Sequence, residues 1–333
     1  MPHVVTVALL ALFLLAGCGS ETTEPSSSAP AKAGAFPVTI KHKFGETTIK
    51  SEPKRIVVVG LREQDALLAL GIVPVGTTEW YGEHPGAIFP WAKAALGDGK
   101  VPAKLSFTDG IQYEKVAALA PDLILAIYSG LNQKDYVTLS KIAPVVAQPP
   151  GEVDWGSSWQ EEITITGQAV GKAAEAEKLR AKAEQQLAEA AAAHPEFKGQ
   201  TAAVASPYQG IYVYGPQDAR SRLMTDLGFT FPKPLEDIGG KEFGGQLSDE
   251  KVDLLDVGTL VWFAEPGPEA KLKKNPVYSK LDVRKQGRDV FIPETGTLYE
   301  ATSFISVLSI PLLIDELVPK LAAAADGDPA TTA

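Results

Sequence analysis

Arginine is scarce in this sequence, 7 of 31 basic residues, and three of the seven stand where a ligand could meet them. Arg62 follows the apolar run Ile56–Gly60 at its carboxyl end. Arg220 and Arg222 follow Ile211–Tyr214, near the start of the next helix. A guanidinium fork hydrogen-bonds carboxylate and chelating oxygens and stacks on aromatic planes. A cation at a helix N-terminus opposes the helix dipole, which tips the reading towards binding and away from solvated surface arginines. Arg62 and one of Arg220 and Arg222 are therefore expected to bind. The aromatic residues are unevenly placed as well. Trp80, Trp91, Trp155 and Trp159 fall in loops or at helix ends of the first half, Tyr81 adjoins Trp80, and Tyr128 ends the strand DLILAI. Tyr208 and Tyr214 flank the corresponding strand edge of the second half, and Tyr299 precedes the final helix. Such rings stack on flat ligand groups while their polar tips hydrogen-bond. Packing of loop on helix is the commoner fate of a single Trp, so about half of these are expected to face a cleft.

Other chemistries lack their residues. The four histidines, His3, His42, His84 and His194, are far apart in sequence, whereas a Zn or Mn site wants several with carboxylates. One cysteine permits neither an intrachain disulfide nor a cysteine metal site. There is no G-x-S-x-G elbow, P-loop or G-x-G-x-x-G, so neither an enzyme nor a resident cofactor or metal is expected. The 31 basic and 41 acidic side chains give a net charge of −10, with no basic surplus for nucleic acid. Hydrophobic residues at 45% and charged ones at 22% exclude a mostly disordered chain.

The single cysteine has a telling position. Val4–Gly17 is an apolar stretch too short to span a bilayer but of signal-peptide length. It ends in Leu15-Ala16-Gly17-Cys18, which resembles the bacterial lipobox, whose cysteine is acylated. No Lys or Arg precedes the run, only His3, a departure from the pattern that either a misplaced start codon or a weak signal would explain. Residues 1–17 are expected to be a signal peptide, and 18–35, rich in Ser, Thr, Pro and Ala, a flexible tether. Cys18 would hold the protein by its lipid alone to the outer face of the cytoplasmic membrane.

The elements that must position the arginines and rings follow from periodicity. Val38–Lys50 alternates about Gly45 as a hairpin. Ile56–Gly60, Val73–Gly76, Asp122–Ile127 and Val145-Val146 read as strands between the helical segments Glu63–Leu70, Tyr113–Leu119 and Gln133–Ile142. This alternation means an α/β lobe, residues 36–157, with a largely parallel sheet. Trp159–Ala193 has no proline and is rich in strong helix formers. It is one helix roughly 50 Å long, or two broken at Gly167 or Gly171, within a connecting segment 158–194. A second α/β lobe, 195–321, has strands at Thr201–Ala205, Ile211–Tyr214, Thr259–Ala264 and Val290–Ile292. Ala219–Leu227 is a helix, Ser248 caps Asp249–Leu255, and Ser303–Leu321 is a final helix interrupted at Pro311. Residues 322–333 are expected to fray.

In this order the chain resembles the class III solute-binding lipoproteins of ABC importers for ferric siderophores, heme and cobalamin. The stretches that carry the resemblance are Pro53-Lys54-Arg55-Ile56-Val57-Val58, Leu67–Gly71, Glu114–Ile124, Leu247-Ser248-Asp249-Glu250 and Leu308–Leu317. The Trp80–Trp91 stretch is most similar to the actinobacterial siderophore-binding branch. The resemblance implies two Rossmann-like α/β lobes joined by one long helix, a ligand cleft between them, and modest closure. It implies a monomer that passes its cargo to an ABC permease with a separate ATPase, iron being carried inside the siderophore. Glu114 and Glu250 resemble the family's permease-docking acids, although stabilisation of a helix N-terminus alone would justify either one. The leading function is capture of a ferric siderophore, for which an acidic protein needs a local positive patch. Heme or cobalamin cargo, and a sensor or partner lipoprotein without cargo, are the alternatives.

Overall fold

Alternating burial builds the first element. Strands β1 (Val38–His42) and β2 (Gly45–Ile49) pair antiparallel, bury Ile40, His42, Thr47 and Ile49, and turn through Gly45 at φ +120°. The computed structural model describes residues 36–239, 242–328 and 330–331; the expected signal peptide, tether and Cys18 lie outside them.

The first lobe holds β3 (Ile56–Val58), β4 (Gly76–Glu79), β5 (Ala103–Ser106), β6 (Leu123–Ala126) and β7 (Val145–Ala147). They form a wholly parallel sheet in the order β5-β4-β3-β6-β7. The continuous apolar runs of β3 and β6 sit at its centre, covered on both faces. The strand expected at Val73–Gly76 begins only at Gly76, where any Cβ would lie 2.4 Å from Leu119 Cδ1, so glycine admits the helix end against the strand.

The second lobe holds β8 (Ala202–Ser206), β9 (Ile211–Tyr214), β10 (Gly244–Leu247), β11 (Thr259–Phe263) and β12 (Asp289–Ile292), in the order β10-β9-β8-β11-β12. This sheet is mixed. β8, β11 and β12 are parallel, but β9 runs antiparallel to β8 and β10 antiparallel to β9. The reason is loop length: four residues separate β8 from β9, too few for a parallel crossover, and Gln209 and Gly210 turn the chain at positive φ.

The connecting segment is two helices, Trp159–Ala169 and Ala173–Ala193, separated at Gly171 with φ +72°. A capping box between Ser158 and Glu161 starts the first. Gly167 remains helical, and its missing side chain makes room for the Ala176 methyl, 2.2 Å from where a Cβ would be. The carboxyl-terminal part is likewise three helices, Thr297–Ser303, Ile310–Glu316 and Val318–Ala325, where one interrupted helix was expected. The last runs past Leu321 because Ala324 and Ala325 are buried, so the chain does not fray from Ala322.

An apolar core passes from Ile56, Leu67 and Leu123 of the first lobe, through Trp159, Ile163 and Leu187 of the connector, to Val204, Val261 and Ile310 of the second. Separate clusters contain other side chains of each lobe's sheet. No helix among the described residues is long and apolar enough to cross a membrane.

Candidate ligand-binding cleft

Between the lobes lies a cavity of about 500 Å³. Leu61, Trp80, Phe107, Tyr128 and Trp155 wall it from the first lobe. The second lobe contributes Ser206, Tyr208, Tyr212, Tyr214, Asp218, Arg220, Phe243, Glu294, Tyr299, Ser303 and Phe304.

Tyr128 is set by the turn that leaves β6. The Glu63 carboxylate, at the start of helix Glu63–Ala69, accepts the backbone amides of Ile127 at 2.5 Å and Tyr128 at 2.9 Å. Gly60 makes room for that carboxylate, which lies 1.9 Å from where a Cβ would be. Trp155, itself at φ 64°, stands edge-on to both Tyr128 and Phe107, with ring centroids 5.5 and 5.6 Å away.

Arg220 is nearly buried, at 7% exposure. Its Nη1 donates to both Asp218 carboxylate oxygens, at 2.9 and 3.1 Å, and its Nη2 to Ser303 Oγ at 3.2 Å. The guanidinium lies 4.2 Å over the Tyr214 ring, and its buried Nε has no partner among the described residues. Burial works against the charge, but Asp218 and the surrounding phenols hold the guanidinium above its ordinary range. Burial also pushes up the phenols of Tyr212 and Tyr299, the latter to about 12. At neutral pH both are uncharged hydroxyls able to donate or accept.

The cleft therefore gathers seven of the residues singled out from sequence: Trp80, Tyr128, Trp155, Tyr208, Tyr214, Arg220 and Tyr299. It does not gather Arg62, Tyr81, Trp91, Trp159 or Arg222. Arg62 is fully buried, ion-paired with Glu162 through Nε and donating from Nη2 to the Ser157 carbonyl. Its guanidinium centre sits 4.0 Å from the Tyr128 ring, so it supports the wall from behind. Tyr81 packs on Tyr299 and Phe304 at 5.6 and 5.1 Å. Trp91 stacks on Phe89 and donates to Asp65 Oδ2 at 2.6 Å, while Trp159 belongs to the core. Arg222 bridges the lobes, its Nη2 3.0 Å from Glu152 Oε2. A second bridge joins His84 Nε2 of the first lobe to Glu300 Oε1 of the second at 2.9 Å. Glu114, in helix Tyr113–Ala118, and Glu250, in the 3₁₀ turn Asp249–Leu255, are both exposed.

Signals existed for some residues missed in the sequence. Tyr212 shares a strand face with Tyr214 by period two, and Asp218 is the helix cap two residues before Arg220. Glu294 follows a strand end by two residues, as the same rule would pick out. Nothing local points to Phe107 or Phe243. Among the described residues no cluster of three or more His, Cys, Asp or Glu is arranged to hold a metal.

Residues 56–295 match the periplasmic binding protein family. A periplasmic solute binding protein from Mycobacterium smegmatis is 35% identical and superposes with a TM-score of 0.73, over 86% of this chain and 98% of that one. PiaA of Streptococcus pneumoniae, solved in complex with ferrichrome, is 28% identical with a TM-score of 0.78, over 87% of this chain and 99% of that one. An iron-uptake system-binding protein of Bacillus subtilis is 28% identical over 299 residues, 85% of this chain and 88% of its own. A match over most of the chain, two α/β lobes and a cleft between them lead to one conclusion: this chain belongs to the periplasmic binding protein family.

Proposed function

We propose that this protein is the substrate-binding component of an ABC importer, and that its cargo is a ferric siderophore held between the lobes. The observation that carries this reading is the cavity itself. Its volume of about 500 Å³ falls within the range of small-molecule sites. Its lining of indole, phenol and phenyl rings around one guanidinium suits a ligand with flat chelating groups and oxygen acceptors. Relatives that bind ferrichrome or serve iron uptake support the same cargo class.

Burial raises the phenol pKa of Tyr212 and Tyr299, which disfavours their phenolate forms as ligands for ferric iron. On this reading the protein binds without catalysing, Cys18 carries the lipid that holds it outside the cytoplasmic membrane, and Glu114 and Glu250 meet the permease. Titration of the purified protein with ferrichrome, heme and cobalamin, followed by the fluorescence of Trp80 and Trp155 and corrected for ligand absorbance, tests the cargo. Saturable quenching by ferrichrome with micromolar or tighter affinity is expected. Saturation by heme or cobalamin in its place overturns the siderophore reading.

A further inference from the structure

The three arginines that sequence offers as a positive patch are all neutralised by carboxylates: Arg62 by Glu162, Arg220 by Asp218 and Arg222 by Glu152. Among the described residues that line the cavity, Arg220 is the only basic side chain, and Asp218 at 2.9 Å cancels it. The tyrosines and tryptophans of the lining add hydrogen-bond groups and π faces but no charge. One charged group is left over. Glu294 lines the cavity two residues beyond β12 and makes no hydrogen bond or ion pair with the described residues. Glu265 follows the neighbouring strand β11 by the same interval, and because Phe263 pairs with Ile292 the two carboxylates leave the sheet level with each other. The end of the cavity at β11 and β12 is thus negative, in a protein of net charge −10.

We infer that the cleft selects a ferric complex with no net negative charge, and that Glu294 is the residue that sets this selectivity by receiving a cationic group of the cargo. This rests on the siderophore reading above. The chemistry of the chelator decides the class. Three hydroxamates, each a monoanion, neutralise ferric iron, and a protonated amine on such a chelator makes the complex a cation. Three catecholates leave a trianion, and ferric citrate complexes are anionic too. A like charge brought beside a partly desolvated carboxylate is strongly disfavoured, whereas an ammonium gains there. The aromatic lining serves the alkyl and amide chains of a hydroxamate as well as it serves rings.

The test compares ferrioxamine B, a monocation, with neutral ferrichrome and with ferric enterobactin and ferric citrate as anions, on the wild-type protein and on Glu294→Gln and Glu294→Lys. Glu294 is exposed and has no partner among the described residues, so both variants are expected to fold, which circular dichroism checks. Wild type is expected to bind the cationic or neutral complex at least about tenfold more tightly than either anion. Glu294→Lys should weaken ferrioxamine B by about tenfold more than it weakens ferrichrome, and narrow the gap to the anions. Preferential binding of ferric citrate or ferric enterobactin by wild type overturns the charge selection while leaving the siderophore reading intact. Equal affinities of wild type and Glu294→Lys for every complex overturn the role of Glu294. Failure of all four complexes to bind overturns the siderophore reading, and this inference with it.

Discussion

The carboxylate of Glu63 holds the backbone of Tyr128: it takes the Tyr128 amide at 2.9 Å while its neighbour Arg62 lies beneath the Tyr128 ring. Wall and helix start are therefore one unit. Glu63→Ala leaves the two amides it now satisfies without their acceptor, and the expected loss of stability is about 3 kcal/mol. Ferrichrome affinity should fall with it, because the ring loses its seat. Urea unfolding followed by titration of the folded variant checks both. An unchanged affinity would show that the ring is placed by Arg62 alone.

Gly130 is a second such constraint. A Cβ there would lie 2.7 Å from the Trp155 indole, and the backbone sits at φ +56°. Gly130→Ala should cost about 1–2 kcal/mol of stability and push the indole away from Tyr128 and Phe107. The readouts are a shift in tryptophan emission and a weaker quenching amplitude on ligand addition.

Arg220 and Arg222 are separated by one residue and should behave differently. Arg220→Ala takes the counter-ion from buried Asp218, which keeps only the amide of residue 220, for an expected loss of about 3 kcal/mol, and removes the one basic group among the described residues that line the cavity, so affinity should drop at least about tenfold. Arg222→Ala breaks a half-exposed bridge between the lobes, worth about 1 kcal/mol or less, and should leave affinity near wild type. Equal losses in the two variants would contradict the separation of their roles.

Stability should depend on pH through Asp65. Burial pushes its carboxyl up to about 6, against the opposing hydrogen bonds from Ser306 and Trp91. Its folded pKa thus exceeds its unfolded value of 3.8, so between those values the folded protein holds the proton more tightly. The sign follows: this residue's contribution to stability rises as pH falls from 7 through 6 and is complete below the unfolded value. The amplitude is about 3 kcal/mol at most. Denaturant unfolding at pH 7 and pH 5 should show a larger gain for wild type than for Asp65→Asn.

Glu114→Lys combined with Glu250→Lys should abolish uptake of radiolabelled ferric siderophore by cells while affinity in solution stays normal. Both residues are exposed and make no ion pair with the described residues, so the fold should tolerate the exchange. Normal uptake would assign permease contact to other residues.

The two lobes were legible because buried parallel strands announce themselves: IVV and LILA are unbroken apolar runs between helices. β5 (AKLS) and β10 (GGQL) carry no such run, and only their sheet neighbours make them strands. The antiparallel β9 was hidden because direction is set by a turn rather than by strand composition. In the site, position relative to strand ends found Tyr128 and Arg220. The same rule put Arg62 in the cleft, where it is buried instead. Its destination depends on Glu162, a hundred residues away, and no local pattern reports that pairing. Phe107 and Phe243 adjoin β5 and β10, the two strands that composition does not mark, so no strand end drew attention to them.

The unbroken core beneath the cleft has a thermodynamic consequence. Ile56, Val204 and the connector's Leu187 belong to a single apolar cluster, so swinging the lobes far apart would bring oil-like surface into water. The mould is thus cast before the cargo arrives. Association should proceed without a slow gating step, and the radius of gyration in solution scattering should barely change on saturation. Little chain entropy is lost on binding, which leaves the contacts of the rings free to appear as affinity. Discharge then becomes the demanding half of the cycle, since the force that parts the lobes has to come from outside the protein.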